Sequence, residues 1–556
     1  MTLPLAGPAL LGRFVDDVSA GASTGHLTRI ALAYLVVALT AEGLQLLVTW
    51  ASVHLAWRAG NHLRERLADH ALGLDLAWHG EHSPGLLIER IDGDVDALTA
   101  FVANAVLHVI GNAILVVGVF SVALFIDWRA GLVIGIASTL ALSVMVRMRV
   151  RAVPAHDAER EANAGLYGDL EERLGGIEDL RANGAGEYAV YRLQVHSARS
   201  WKAARHAAWK GDSAYAVAAL TFGCGSVATL GAGIALHRAG VVSLGAVLAL
   251  FRYSTMIRHP LERLAEQLRE LQKALAGAAR AARLLATAPA ISEPAAADAE
   301  PLPAGGLPVD LDGVTLAYDH GRPALRGVDL HLPGGCRLGV IGRTGSGKTT
   351  LGRLLLRFWD PTEGTVRLGG VDLRNVALRD LRHRVAVVTQ DVQLFRASLR
   401  DNLTLFGAVP ASEARLLAVL DDVGLGPWVA ALPEGLDTEL EGTGGLSAGE
   451  AQLLAFARAF LADPGLVVLD EASSRLDPAT EAKVAAATHR LLEGRTAVVI
   501  AHRLATLDEV DEIAVVDAGK IVEHGARADL AADSSSRFAR LLAASAALAD
   551  DPVGVG

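Results

Sequence analysis

The segment Gly342-Arg343-Thr344-Gly345-Ser346-Gly347-Lys348-Thr349 admits very few folds. It fits G-x-x-x-x-G-K-[ST], the phosphate-binding loop (P-loop, or Walker A motif) of nucleoside-triphosphate hydrolases. Glycines let the backbone curl until successive N–H groups face one anion. Lys348 then reaches the outer phosphates as a point charge, and the Thr349 hydroxyl is placed to ligate magnesium. The apolar run Leu338-Gly339-Val340-Ile341 predicts a buried strand entering the loop. The run from Thr350 to Leu356 predicts a helix leaving it, its N-terminus toward the anion. A Gly-rich turn that holds a lysine by chance does not need this context.

A second strand points to the same site. Leu466-Val467-Val468-Leu469 is apolar and runs into Asp470-Glu471. In a parallel sheet beside the phosphate loop, its carboxyl end faces the ligand. Asp470 is then the magnesium carboxylate, and Glu471 the base that polarises an attacking water. Between the two strands lies Leu446-Ser447-Ala448-Gly449-Glu450, followed by a helical stretch. Here the chain resembles the ATP-binding cassette (ABC) family, whose signature usually reads LSGGQ. Ser447 and Gly449 fit that signature, whereas Ala448 and Glu450 depart from it. The resemblance implies that Ser447 offers a hydroxyl, and Gly449 a backbone N–H, to a γ-phosphate at a helix N-terminus. Glu450 adds negative charge near that anion.

Other stations of the family follow in order. Tyr318 matches the aromatic that stacks on adenine. Gln390 matches the loop glutamine that touches magnesium and water, and His502 the histidine facing the γ-phosphate. Ser474-Arg475-Leu476-Asp477 resembles the loop that crosses a dimer interface, with an unusual Arg475. Glu441 resembles an acidic residue that contacts the membrane domain. The resemblance thus implies ATP and Mg2+ as cofactors. Tyr318, the loop from Gly342 to Thr350, Ser447 and Gly449 would hold the nucleotide. Thr349, Gln390 and Asp470 would hold the metal, and Glu471, His502 and Gln390 would carry the catalysis.

The front half is of another kind. Hydrophobic residues make up 51% of the chain and mean hydropathy is +0.33, more apolar than soluble domains usually run. The excess lies before residue 260. Phe101 to Ile126 holds no Asp, Glu, Lys or Arg and is long enough to cross a bilayer as a helix. Ala130 to Val146 follows after the tight turn Asp127-Trp128-Arg129. Ala214 to Leu236 is rich in small residues that let membrane helices approach. Ile30 to Trp57 and Val242 to Ile257 complete five expected spans. Basic residues crowd the segments from Arg58 to Arg90 and from Arg147 to Lys210, which places both on the cytoplasmic side with the nucleotide domain.

This half resembles the family's exporter-type transmembrane domain. Ser83 to Ile91 and Gly175 to Ala182 sit where the family puts its short coupling helices, and Pro260 to Leu285 looks like its long exit helix. The family usually has six membrane helices per half. Leu3 to Asp16 resembles the outer end of a first helix too short to cross, which favours a true start upstream of Met1. The expected fold class is multidomain. An all-α polytopic transmembrane helical bundle (1–285) leads through a Pro- and Ala-rich linker (286–306) to an α/β P-loop NTPase domain (307–545) and a tail (546–556).

Net charge is −11 without a basic stripe beyond the topology signal, so nucleic acid is not an expected partner. Cys224 and Cys336 form neither a disulfide framework nor a metal motif. In the membrane, Asn104, His108 and Asn112 recur every four residues on one helix face. They suit either substrate contact or hydrogen bonds between helices. Glu42 and Arg252 are costly there, roughly 2.5–3.5 kcal/mol each if unpaired, and suit a translocation cavity, where they would be paired or not.

The expectation is an ATP-hydrolysing half-transporter in a bacterial plasma or inner membrane, exporting a small-molecule substrate. Its partner is a second half-transporter, in a homodimer or a heterodimer. Uptake, or a regulatory membrane ATPase that moves nothing, are the alternatives.

Overall fold

The computed structural model describes residues 2–318, 321–389, 391–442, 446–470, 478–501 and 507–549. It divides into two units. In their described parts, one holds Met1–Gly73 with Ser83–Thr287, and the other holds Leu74–His82 with Ala288–Gly556.

The first unit is all helix. Its elements are α1 (Ala6–Ser19), α2 (Thr24–Leu72), then, after α3 (Leu76–Glu81) of the second unit, α4 (Pro84–Ile88), α5 (Asp94–Asn104), α6 (Asn112–Ile126), α7 (Trp128–Gly175), α8 (Ile177–Ala182), α9 (Gly186–Arg238), α10 (Leu244–Met256) and α11 (Arg258–Ala286). Two π-helical stretches, Glu89–Gly93 and Ala105–Gly111, join α4, α5 and α6 end to end. The turn before α7 works because Asp127 accepts hydrogen bonds from the N–H groups of Arg129 (2.8 Å) and Ala130 (3.2 Å), capping the helix.

Among the described residues, four helices are long and apolar enough to cross a membrane: Thr24–Leu72, His108–Ile126, Trp128–Gly175 and Gly186–Arg238. The apolar window of α2 buries none of its residues inside the chain, which suits a helix facing lipid or another subunit. The fifth expected span is corrected. Ser243 caps α10 by accepting from the N–H of Ala246, so the helix starts at Leu244 and runs only 13 residues, about 20 Å. It then passes through Ile257 into α11.

Small residues set the spacing of the bundle. A Cβ added at Gly225 of α9 would lie 2.7 Å from the Cβ of Ala137 in α7. The short α1 is fastened at both ends. Asp16 accepts from the hydroxyl of Ser243 (2.6 Å) and the N–H of Gly245 (2.7 Å), and the Tyr253 hydroxyl donates to the Leu5 carbonyl (2.6 Å).

The second unit is built on sheets. In chain order its strands are β1 (Val309–Leu316), β2 (Leu325–Leu332), β3 (Arg337–Ile341), β4 (Glu363–Leu368), β5 (Val371–Asp372), β6 (Val385–Val388), β7 (Arg396–Ser398), β8 (Glu439–Glu441), β9 (Leu466–Asp470), β10 (Thr496–Ile500), β11 (Glu512–Asp517) and β12 (Lys520–Ala526). One sheet has the order β12-β11-β3-β10-β9-β6, parallel except for β12. The other, β2-β1-β4-β5, is antiparallel.

Alternation along β9 and β10 explains the layers. Val467, Leu469, Ala497 and Val499 pack on one face against the helices α13 (Ala448–Ala462) and α14 (Pro478–Leu492). Leu466, Val468, Val498 and Ile500 pack on the other face with Leu351, Leu354 and Leu355 of α12 (Lys348–Leu355) and with the antiparallel sheet. A strand buried on both faces reads as a continuous apolar run, as β9 does.

One stretch within the expected membrane domain, Leu74–His82, falls in the second unit. Ser83 to Ile91, expected to be a coupling helix, belongs to the membrane unit. There Ser83 and Pro84 start α4, the Ser83 hydroxyl accepting from the N–H of Leu86. The short helix α3, which starts eight residues before α4, belongs to the second unit. The stretch read as a linker is irregular but sewn down. Asp75 accepts from the N–H of Ile291 (3.3 Å), Asn375 donates to Glu300 (2.9 Å), and Arg384 donates to the carbonyls of Pro303 and Gly305 (both 2.7 Å).

Candidate functional site

The phosphate loop runs from the end of β3 into α12 as expected. Gly342 (φ 156°) and Gly347 (φ 111°) adopt conformations that side chains rarely take. A Cβ at Gly342 would sit 2.1 Å from the Val516 carbonyl oxygen, and one at Gly347 2.7 Å from that of Ala324. Lys348 is buried at the start of α12, and its ammonium donates to the carbonyls of Gly342 (2.7 Å) and Arg343 (3.1 Å). Burial holds its pKa below the ordinary lysine value, and the nearby Asp470 carboxylate pulls the other way. Ser346 Oγ is buried and has no hydrogen-bond partner among the described residues. The loop thus offers a cradle that a Cβ would fill, a charged donor and an unsatisfied hydroxyl. That donor set fits the phosphates of a nucleotide.

A cavity of about 1090 Å³ opens beside the loop. Tyr318, Thr344, Thr349, Arg353, Trp359 and Asp470 line it, with residues of α3 at its rim. The Tyr318 hydroxyl donates to Thr350 Oγ1 (3.1 Å), and its ring meets Trp359 edge-on with centroids 5.2 Å apart. Arg353 lies over the Trp359 ring at 5.4 Å. This aromatic wall suits a nucleobase. Trp359 and Arg353 were not singled out by the sequence reading. Trp359 follows α12 with no motif around it, and only the turn after that helix brings it to Tyr318. Thr349 and Asp470 present a hydroxyl and a carboxylate, hard oxygen donors that fit Mg2+.

Gln390, Glu471 and His502 lie outside the described residues, as does Ser474 to Asp477. The described chain leads into them from the carboxyl ends of β6, β9 and β10, three adjacent parallel strands. Ser447 and Gly449 do not line the cavity of their own chain. They start α13, where a capping box forms. The Glu450 carboxylate accepts from both the N–H and the hydroxyl of Ser447 (2.9 Å each), and Ser447 Oγ accepts from the N–H of Glu450 (3.2 Å). Glu441 is exposed in β8, which pairs with β7.

In the membrane unit the polar stripe is split by a π-helical stretch. Asn104 and Asn112 each donate to a carbonyl four residues upstream in their own helix (2.9 Å), and His108 is half-buried between them. Glu42 and Arg252 are both exposed, and no ion pair joins them among the described residues.

Comparison with known proteins identifies this architecture. Residues 2–261 match the ABC transporter transmembrane region, and residues 325–474 match the ABC transporter domain. A fatty acid ABC transporter ATP-binding/permease protein of Mycobacterium bovis is 30% identical, covering 84% of this chain and 74% of its own. A multidrug efflux ATP-binding/permease protein of the same species is 33% identical over 89% of this chain, which spans 42% of that relative. The solved structure of a bacterial Atm1-family ABC exporter with ATP bound shares the fold, with TM-score 0.82 at 24% identity over 98% of this chain and 96% of that one.

These matches define a membrane-embedded transporter with a fused nucleotide domain. The chain belongs to the ABC transporter family. Its function is ATP-driven transport in the exporter-type arrangement, with the substrate unidentified.

Proposed function

We propose that this half-transporter hydrolyses ATP between two cassettes and uses cassette closure to export an amphiphilic small molecule. The relatives named for fatty acids and for multidrug efflux support that substrate range. The observation that carries the reading is the split of the nucleotide site. Tyr318, Thr344, Thr349 and Asp470 line one cavity beside the loop that Lys348 closes, while Ser447 and Gly449 of the same chain lie outside it. A signature at a helix N-terminus that is not used in its own site suits the cavity of a second chain. The partner is then another half-transporter, and the membrane unit lies in the cell membrane with the cassette in the cytosol.

Each residue has a defined task. The loop N–H groups and Lys348 bind and orient the outer phosphates. Tyr318 and Trp359 hold the base. Thr349, Asp470 and Gln390 are the residues that would hold Mg2+, which when bound neutralises charge that develops on the phosphates. Glu471 takes the proton of the attacking water, and His502 steadies the γ-phosphate from the next strand end. Ser447 and Gly449 of the partner subunit close the site, and preference for that closed state drives the membrane helices outward.

In purified protein, Glu471→Gln keeps nucleotide binding and loses turnover, because the amide accepts no proton. Lys348→Ala weakens nucleotide binding by about 1.5–3 kcal/mol and loses turnover as well. Near-wild-type hydrolysis by Glu471→Gln would overturn the assignment of the base.

A further inference from the structure

We propose that the cavity between α1, α2 and α10 binds the acidic head of an amphiphile, with Arg252 as the anion receptor. The proposal rests on the reading of this chain as a membrane transporter and names a chemical class for its ligand. The cavity measures about 290 Å³. Pro8 and Leu11 of α1, Tyr34 of α2, and Arg252, Thr255 and Met256 of α10 line it.

Its depth follows from the helix ends. Asp16, near the end of α1, holds the start of α10, and α2 starts a few residues later, so these three ends share one level. From there the helical rise puts Arg252 about 12 Å along α10 and Tyr34 about 15 Å along α2. With those ends at the membrane boundary, both positions fall inside a hydrocarbon core of ~30 Å.

The guanidinium of Arg252 has no ion pair and no hydrogen bond among the described residues, and neither has the Tyr34 hydroxyl. No described acidic residue lines the cavity, Glu42 included. An unpaired guanidinium at this depth is strongly unfavourable without a counter-ion. The planar fork of the guanidinium matches a carboxylate or a phosphate with two parallel hydrogen bonds. Tyr34 supplies a further donor. Thr255 does not, because its hydroxyl already donates to the Arg252 carbonyl at 2.9 Å. Pro8, Leu11 and Met256 give the walls an apolar surface for the first methylenes of a tail. The volume holds a head and a short length of chain, so the rest of the tail leaves the cavity.

The test uses the full chain in nanodiscs of phosphatidylcholine. Anthroyloxy-labelled stearic acid and its methyl ester are the probes, read by fluorescence without nucleotide. Wild type binds the acid about tenfold more tightly than the ester, and Arg252→Gln removes that preference while leaving ester binding unchanged. Arg252→Lys recovers part of it, having the charge without the fork. Tyr34→Phe loses about threefold for the acid alone and keeps the ring, so it tests the site even if Arg252→Gln fails to fold.

Competition by phosphatidic acid extends the site to phosphate heads, and its failure restricts the site to carboxylates. Competition by free inorganic phosphate at the same concentration would remove the tail from the reading and overturn it. Equal affinity for acid and ester would also overturn it. So would an Arg252→Gln chain that binds the acid normally but no longer dimerises, since the guanidinium would then pair with a second subunit. Nucleotide takes no part in this binding, so a failure here leaves the ATP site to be judged on Lys348 and Glu471.

Discussion

Glu450 and Lys348 show how single charges tune the site. The Ser447 hydroxyl donates to the Glu450 carboxylate at 2.9 Å, so its proton is already committed to that acceptor. A glutamine at this position keeps the capping box, because its side-chain oxygen also accepts from the Ser447 N–H. It gives up the negative charge and holds the hydroxyl less tightly. Glu450→Gln is therefore expected to raise turnover of the purified dimer about fivefold, equivalent to ~1 kcal/mol, with little change in melting temperature. Unchanged turnover would mean that the charge does not reach the phosphate. Lys348 argues a pH dependence. Burial lowers its pKa from the ordinary 10.5, and only the charged form attracts phosphate. Affinity for ATP is thus full below the lowered value and falls as pH rises through it, ahead of an ordinary lysine. Arginine cannot be deprotonated in this range, so Lys348→Arg binds more weakly at neutral pH yet loses the decline. A fluorescent nucleotide titrated from neutral pH to about pH 10 reads both effects.

Among the elements, the α1–α10 contact is the tightest test of packing in the membrane unit. A Cβ on Gly245 would lie 1.9 Å from the Gly12 carbonyl oxygen and 2.6 Å from the Asp16 carboxylate. Backbone cannot yield there as a flexible side chain would. Gly245→Ala must part the two helices and break the Asp16 cap, an expected loss of about 1–3 kcal/mol. Gly231 of α9 has nothing within 4 Å, and Gly231→Ala should gain about 0.5–1 kcal/mol from helix propensity alone. Melting of the detergent-solubilised chain, one variant falling and the other rising, checks the pair. The same contrast explains what could be read before the fold was known. The phosphate loop, β9 and the long apolar helices were legible because one local pattern fixes each of them. Gly12 against Gly245 was not, since two ordinary glycines far apart in sequence carry no shared signal. Trp359 beside Tyr318 escaped notice for the same reason. At Ser83-Pro84 the local signal marks a helix start, where the Ser83 hydroxyl accepts from the N–H of Leu86. In Ser447–Glu450 one tetrapeptide served two patterns, and the capping box hid inside a family signature.

At the scale of the whole molecule, the decisive matter is whether one nucleotide site is made by one chain or by two. Lys348 and Ser447 sit on the same polypeptide, but only Lys348 belongs to the loop beside the cavity. If each site joins Lys348 of one subunit to Ser447 of the other, two defective chains can repair each other. In a Lys348→Ala homodimer both sites lack the lysine, and in a Ser447→Ala homodimer both lack the hydroxyl. In the mixed dimer one site collects both lesions. The other joins the intact Lys348 of the second chain to the intact Ser447 of the first. Tandem purification of that mixed dimer through two different tags should therefore restore turnover well above either homodimer. The recovery should approach half of wild type where the sites act independently, and less where they are coupled. A site built within one chain predicts the opposite, because every site of the mixed dimer then carries one lesion and turnover stays at the level of the homodimers. Should even the wild-type homodimer prove inert, with Lys348 still binding nucleotide, the second cassette is a different chain. The same exchange of lesions then applies between the two genes' products, with Glu450 marking which of the two sites this chain's signature serves.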